Sequence, residues 1–592
     1  MAKNEAEKWD LRELGRVEDF DKMLTELDGN IAMVEKWWTR LSPTMSVKEF
    51  AEFMEYDETL DEKFSCLMYL PSLMDCVNQK DATARLMNSK ATDLALKFNQ
   101  TSRKIGHWLK GLPVEGKETL GDDNAKRLFK AIPDLEYGMN YGRMAAKYTL
   151  SQREEEIIDN KDINGGGAIS DLRGLIEADF VYQLGKKKIK SQAELLKYVH
   201  DKSPKLREGA YRSLLNKHKE NIDKFLVIYQ AVVKDWAFEA KFRGYQSPIE
   251  VRNFGNHVPD EAIETLLRVC KEERKVFWRY FEYKAKLLRV KKLSRFDLYA
   301  PVSLKVNKVH KVIKFNEAKK MVLEAFATFS TRFAAEAKKV MEEKHIDSHP
   351  TPNKRSGAFC ATVGPKYTPY VLLNYTGTSR DVSTLAHELG HAVHSLYANH
   401  HYAGPQHANL PLSETASTLG ELILFEKMLR EEKDKKARKE MLAEKIGESY
   451  ATILRQSYFV MFEKQAHEMI SKGTTAKDLS EAYLKNLKEQ FGTSMKIDPI
   501  FKYEWLYVSH FFESPFYCYA YNFGELLSLS LYSRYKKEGK KFVTKIEEVL
   551  AAGGSMAPDE VLKKVGVDMG DEKFWKDGFE LIRTWQNELE GI

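Results

Sequence analysis

The chain has 592 residues, 43% of them apolar and 30% charged, which supplies a large core under a well-solvated surface and exceeds what one ordinary core organises. A net charge of only +6 over that length gives no concentrated basic field for nucleic acid. The charged opening run from Met1 to Asp10 lacks the apolar centre of an export signal, and no apolar run reaches the roughly 18 residues that span a bilayer.

A cytoplasmic protein without membrane or nucleic-acid partners is therefore expected. The five cysteines, Cys66, Cys76, Cys270, Cys360 and Cys518, are odd in number and share no paired ligand spacing. They read as free thiols in a reducing compartment, mostly small core residues.

Along the chain, apolar residues recur three and four apart over long stretches, as from Ala262 through Leu266, Val269 and Phe277 to Tyr280, so a mainly α-helical fold is expected. The Gly165-Gly166-Gly167 run lacks both the lysine of a phosphate loop and a dinucleotide spacing, and is expected to be a turn. No linker cuts the chain cleanly. Polar stretches at residues 186–192 and 201–204 place an approximate boundary between an N-terminal helical lobe, 1–195, and a catalytic part, 196–592.

Two strands break the helical pattern, Ser356 to Val363 and Pro369 to Tyr375, separated by a Gly364-Pro365 turn signal. A small sheet is thus expected just before the next run, which carries the chemistry. Ser379 is positioned to cap a helix holding Val382, Leu385, Ala386, Leu389, Val393 and Leu396, and continuing to about Asn399.

On that helix lies His387-Glu-Leu-Gly-His391. Residues four apart stand about 6 Å apart along the axis on one face, so both imidazoles can aim at one zinc ion. Glu388 lies beside the first ligand, where a general base is needed. His394 shares the face but is about 10 Å from His387 along the axis, too far to share one tetrahedral ion with both, and is expected to support a ligand or carboxylate.

A motif that takes its third ligand from the same run would need glycine at 394 and histidine at 397, where the chain has His394 and Tyr397. The third ligand is therefore sought on another element. Ser413 can cap a second helix with Glu414 in its first turn. Glu421, seven residues on, shares that face, so one glutamate can bind zinc while the other orients a histidine. Glu414 is preferred for the ligand, ahead of His400, His401 and His407, which fall in or near the intervening loop. Near the C-terminus, His510, Tyr517, Tyr519 and Tyr521 cluster within twelve residues, with Tyr517 and Tyr521 one turn apart on an expected helix and Tyr519 pointing elsewhere.

These stretches together resemble the oligoendopeptidase F branch of the thimet oligopeptidase-like zinc peptidases. The resemblance runs from Lys354-Arg-Ser-Gly-Ala-Phe-Cys360 through Leu373-Asn-Tyr375 and Asp381 to His394, then to Ser413-Glu-Thr-Ala-Ser-Thr418 and the His510 to Tyr521 cluster. It implies a two-lobed helical body with a deep channel that admits short peptides, with a small sheet beside the zinc site. It also implies one zinc ion per chain on His387, His391 and Glu414, with His510 and Tyr517 stabilising the tetrahedral intermediate.

The tyrosine spacing departs from the family pattern by about one residue, which leaves Tyr519 or Tyr521 as alternatives. The peptide would bind along a strand edge at Gly357, Ala358 and Phe359. The expected reaction is hydrolysis of internal bonds in short peptides by a water activated at zinc, with Glu388 as general base. The alternatives are a zinc carboxypeptidase that trims chain ends and a catalytically inactive peptide-binding protein.

Overall fold

The three-and-four spacing around residue 270 folds as two successive helices, Asp260–Glu273 and Lys275–Leu287, which bury Ile263, Leu266, Cys270, Phe277 and Phe281. The same pattern repeats through most of the computed structural model, which describes residues 6–302 and 312–592. The fold is mainly helical, with three small sheets among the described residues. No helix among them is long and apolar enough to cross a membrane.

The chain forms two compact units, each assembled from three stretches. The first comprises the described parts of Met1–Lys147, Lys308–Met428 and Tyr535–Val567. Its core draws Phe50, Phe53, Leu67 and Trp108 from the N-terminal helices and reaches Ala361 and Tyr370 of a three-stranded sheet, with Val363 just beyond its edge strand. In that sheet Tyr370–Leu372 is central, parallel to Ile346–Asp347 and antiparallel to Phe359–Ala361, with Phe359 opposite Leu372. Both expected strands are present but shorter than the sequence suggested.

The second unit comprises Tyr148–Asn307, Leu429–Arg534 and Asp568–Ile592, in its described parts, so residues before 195 contribute to both units. Its last helix, Glu572–Gly591, buries Trp575, Phe579, Ile582 and Trp585. An ion pair between Arg295 and Glu504, 2.5 Å apart, lies fully inside this unit.

The glycine run is not a turn. Residues Ile163–Gly167 form a single wide helical turn that joins Gln152–Asp162 to Ala168–Ala178. Three glycines weaken a helix by propensity, yet they offer no side chain to oppose a wide turn, and the flanking helical residues carry the chain through.

All five cysteines are unbridged, and Cys66, Cys76, Cys270 and Cys518 are buried as expected. Cys360 is the half-buried one.

Candidate active site

The His-Glu-Leu-Gly-His run lies on a helix spanning Ser379–Tyr397. Its cap is Thr378, one residue earlier than expected: Thr378 Oγ1 accepts from the Asp381 backbone N–H at 3.2 Å, and the Asp381 carboxylate accepts from the Thr378 N–H at 3.0 Å. A cap at Ser379 would put Val382 where the reciprocal carboxylate belongs, so the complete box at Thr378 prevails.

Pro411 likewise starts a short helix, Leu410–Ser413, before the expected start. Ser413 therefore ends one helix rather than capping the next, and its hydroxyl donates to the Leu410 carbonyl at 2.8 Å. Glu414 sits at the junction with the helix Thr415–Glu431.

That following helix meets the motif helix backbone to backbone. A Cβ at Gly390 would stand 2.5 Å from the Ala416 carbonyl oxygen, a distance no real Cβ adopts. The close approach brings both glutamates to the histidines. His387 Nε2 and His391 Nε2 are 3.2 Å apart, and Glu414 Oε2 lies 3.6 Å from the first and 3.5 Å from the second.

Ligands about 2.0–2.2 Å from a tetrahedral zinc ion are about 3.3–3.6 Å from one another, so the three atoms fit such an ion. Among the described residues this is the one group of three that could hold a metal.

The supporting contacts match that use. His387 Nδ1 donates to Glu421 Oε1 at 2.5 Å, which turns Nε2 toward the cluster. Ser417, fully buried, donates to Glu414 Oε2 at 2.9 Å. Sequence reading passed over Ser417, although its place three residues after Glu414 on a helix was a usable signal.

Burial opposes the charged form of His387, but Glu421 and the other nearby carboxylates outweigh it and raise the imidazole to about 9. His391 is held low, by burial first. Burial pushes the Glu388 carboxyl up to about 7, against the pull of His387, and Glu388 is only 7% exposed.

Glu388 faces a cavity of about 350 Å³, also lined by Phe359, Cys360, His391 and His407. The edge strand Phe359–Ala361 runs beside the motif helix, tied to it where Thr362 Oγ1 and Ser395 Oγ meet at 2.6 Å. Of the suggested substrate-binding residues, Ala358 and Phe359 line the cavity, and Gly357 precedes them at a φ of +86° that glycine adopts without strain.

His394 is buried on the motif helix with Nε2 lacking a partner. Among the spare histidines, His400 Nδ1 contacts the Tyr397 carbonyl at 3.2 Å, and His401 joins Asp134 and the Ala551 carbonyl.

The C-terminal cluster belongs to the second unit. His510 Nε2 and the Tyr521 hydroxyl are 3.1 Å apart, and the Tyr517 ring centre lies 5.9 Å from that of His510 and 5.3 Å from that of Tyr521. Tyr517 and Tyr521 do not share a helix, because the helix begins at Tyr519. Tyr517 lies in the preceding turn, after Phe516 at a φ of +58°. Tyr519 does point elsewhere: it is fully buried, and its hydroxyl accepts from Asn256 Nδ2 at 2.7 Å. Burial lowers the His510 imidazole.

A buried carboxylate beside two histidines and a glutamate that could together hold a metal ion, on a helical scaffold, is an arrangement suited to a metal-assisted hydrolase. The chain belongs to peptidase family M3, whose profile matches residues 197–581, and it is a peptidase.

It is 28% identical over 602 residues to an oligoendopeptidase F homolog of Borreliella burgdorferi, covering 100% of this chain and 98% of that one. It is 27% identical over 627 residues to one of Lactococcus lactis subsp. lactis, covering 100% and 99%. A solved structure from Chlamydophila abortus shares the fold at a TM-score of 0.87 and 22% identity, over 99% of this chain and 98% of that one. The oligoendopeptidase-F structure from Enterococcus faecium matches at a TM-score of 0.70 and 24% identity, over 97% and 98%.

Proposed function

We propose that the protein is a zinc-dependent endopeptidase that hydrolyses internal bonds of short peptides in the cytoplasm. The observation that carries this reading is the convergence of His387 Nε2, His391 Nε2 and Glu414 Oε2 at edges of 3.2, 3.5 and 3.6 Å, which suits one zinc ion per chain. When bound, zinc supplies Lewis acidity toward a water and a carbonyl oxygen. The names of the relatives favour short peptides and internal cleavage, and five unbridged thiols favour a reducing compartment.

Each residue's part follows from its chemistry. Glu421 holds the His387 ring by Nδ1 and keeps Nε2 available, and Ser417 fixes the Glu414 carboxylate. Glu388, with a carboxyl near neutrality, takes the proton of the attacking water and returns it to the leaving amine. The peptide backbone pairs with the open edge at Gly357, Ala358 and Phe359, which leads past Glu388. His510 and Tyr517, with Tyr521 as the alternative tyrosine, donate to the oxyanion as its charge develops.

The test is incubation of the purified protein with an unstructured decapeptide, with chelator, and with chelator followed by zinc, reading products by mass. Internal fragments that vanish with chelator and return with zinc are expected. Release of single terminal residues would instead establish an exopeptidase, and intact peptide after zinc loading would establish a non-catalytic binding protein.

A further inference from the structure

The edge strand proposed to take the peptide is held by two side chains whose contacts form a reciprocal clasp. The Lys354 side chain is fully enclosed. Its ammonium donates to Asp347 Oδ1 at 2.5 Å and to the backbone carbonyls of His349 at 2.8 Å and Leu373 at 2.6 Å, with the Asp347 carbonyl at 3.2 Å. It thus occupies a nest of oxygens at the C-terminal ends of the two parallel strands, Ile346–Asp347 and Tyr370–Leu372.

The next residue after Leu373 returns the contact. Asn374 Nδ2 donates both its hydrogens, to the carbonyl of Arg355 at 2.9 Å and to that of Gly357 at 2.8 Å. Residue 354 is tied to 373, and residue 374 to 355 and 357.

We propose that Asn374, supported by Lys354, is a positioning residue for peptide binding: it fixes the lead-in to the edge strand so that Gly357, Ala358 and Phe359 present their backbone groups in one register. The inference rests on the strand-edge reading of substrate binding. Three features argue that the segment needs holding. Gly357 is in the left-handed region, where glycine is conformationally loose and must be pinned by something else. The strand pairs on one side only among the described residues, so half of its ladder bonds are unavailable to order it. And the regular pairing begins at Phe359, two residues after the carbonyl that Asn374 grips. Pre-ordering the edge removes part of the ordering entropy that a bound peptide would otherwise have to overcome.

Asn374→Asp separates donation from shape, because aspartate has the same outline but offers only acceptors to the two carbonyls. In the full-length, zinc-loaded protein, this variant and Asn374→Ala should exchange the amide hydrogens of residues 358–361 about tenfold faster than the parent. They should bind a fluorescent decapeptide about tenfold more weakly, and raise KM similarly while kcat stays within about threefold.

Normal exchange and affinity in Asn374→Asp would overturn the proposal. So would faster exchange with unchanged affinity and KM, since the clasp would then serve only the fold. Loss of kcat with unchanged KM and affinity would overturn it as well. If the parent binds the decapeptide without cutting it, the peptidase reading fails, and the affinity comparison still decides the clasp.

Discussion

Gly390 and Gly420 let two helices touch where the candidate metal ligands are assembled. A Cβ at Gly390 would press to 2.5 Å on the Ala416 carbonyl oxygen, and one at Gly420 to 2.9 Å on the Ala386 carbonyl oxygen. Alanine improves intrinsic helix propensity by about 1 kcal/mol, so propensity alone predicts stabilisation. The contact predicts the opposite, because backbone atoms at that distance cannot yield without moving a helix, and overpacking costs about 1–3 kcal/mol. The expected outcome for Gly390→Ala is a lower unfolding midpoint and weaker zinc retention, both read on purified protein by denaturant titration and metal analysis. A variant more stable than the parent with full zinc would show that the helices are not clamped here.

Glu421 Oε1 lies 2.5 Å from His387 Nδ1, where a carboxylate orients the ring toward the candidate metal position. Removing such an outer carboxylate typically weakens metal binding about 10–100-fold. Glu421→Ala should therefore release zinc at a lower chelator concentration by about that factor. Glu421→Gln, which keeps an oxygen for the same N–H, should lose less. Equal affinity in all three proteins would mean that Glu421 is a passive neighbour.

The sequence carried most of the candidate metal site's geometry because helical spacing is a local rule: residues four apart share a face whatever surrounds them. The pairing of His387 with His391 on one face, and the axial offset of His394 from His387, follow from that rule alone. Spacing alone does not separate Glu414 from Glu421, which share a face; the preference for Glu414 came from the family resemblance, and the crossing of two helices at Gly390 brings Glu414 to Nε2 and Glu421 to Nδ1. Both caps were misplaced by local competition, Thr378 prevailing through Asp381 and Ser413 drawn into the turn that Pro411 starts. Tyr517 and Tyr521 sit together without sharing a helix because the chain turns at Phe516 in a backbone region that sequence patterns seldom reveal for a bulky residue. Which stretches make up each of the two units was not legible, because each is woven from three distant segments.

The tyrosines of the second unit separate by their partners. The Tyr519 hydroxyl is engaged in the interior by Asn256, while that of Tyr521 meets His510. If one of Tyr517 and Tyr521 donates to the oxyanion, its replacement by phenylalanine should lower kcat about 10²–10³-fold. Tyr519→Phe should instead cost about 1 kcal/mol of stability with kcat nearly unchanged. Steady-state kinetics on the three variants, alongside their unfolding midpoints, assigns the role. A large kcat loss confined to Tyr519→Phe would reverse the assignment.

Glu463 gives the second unit a pH-dependent stability. It is 1% exposed, and its Oε1 accepts from the Phe516 backbone N–H at 2.9 Å, next to Tyr517. Burial raises its carboxyl to about 8 from an ordinary 4.5, although the Phe516 N–H and Arg252 pull the other way. A folded state that holds the proton more tightly than the unfolded chain is favoured at low pH. The contribution is complete below about 4.5, declines as the pH climbs toward 8, and changes no further above that. At about 1.4 kcal/mol per pH unit, the decline amounts to on the order of 5 kcal/mol at most. Glu463→Gln keeps the oxygen that receives the Phe516 N–H but cannot ionise. It should match the parent at pH 5 and exceed it in denaturant stability by a few kcal/mol at pH 8.5. Half-buried Asp57 and Glu58 in the first unit, raised to about 7 and about 8, mainly by desolvation, slope the parent's stability in the same direction. They remain in the variant, so the difference between the two proteins isolates Glu463. A difference that is the same at both pH values would show that Glu463 is ionised in the folded protein and that Arg252 outweighs its burial.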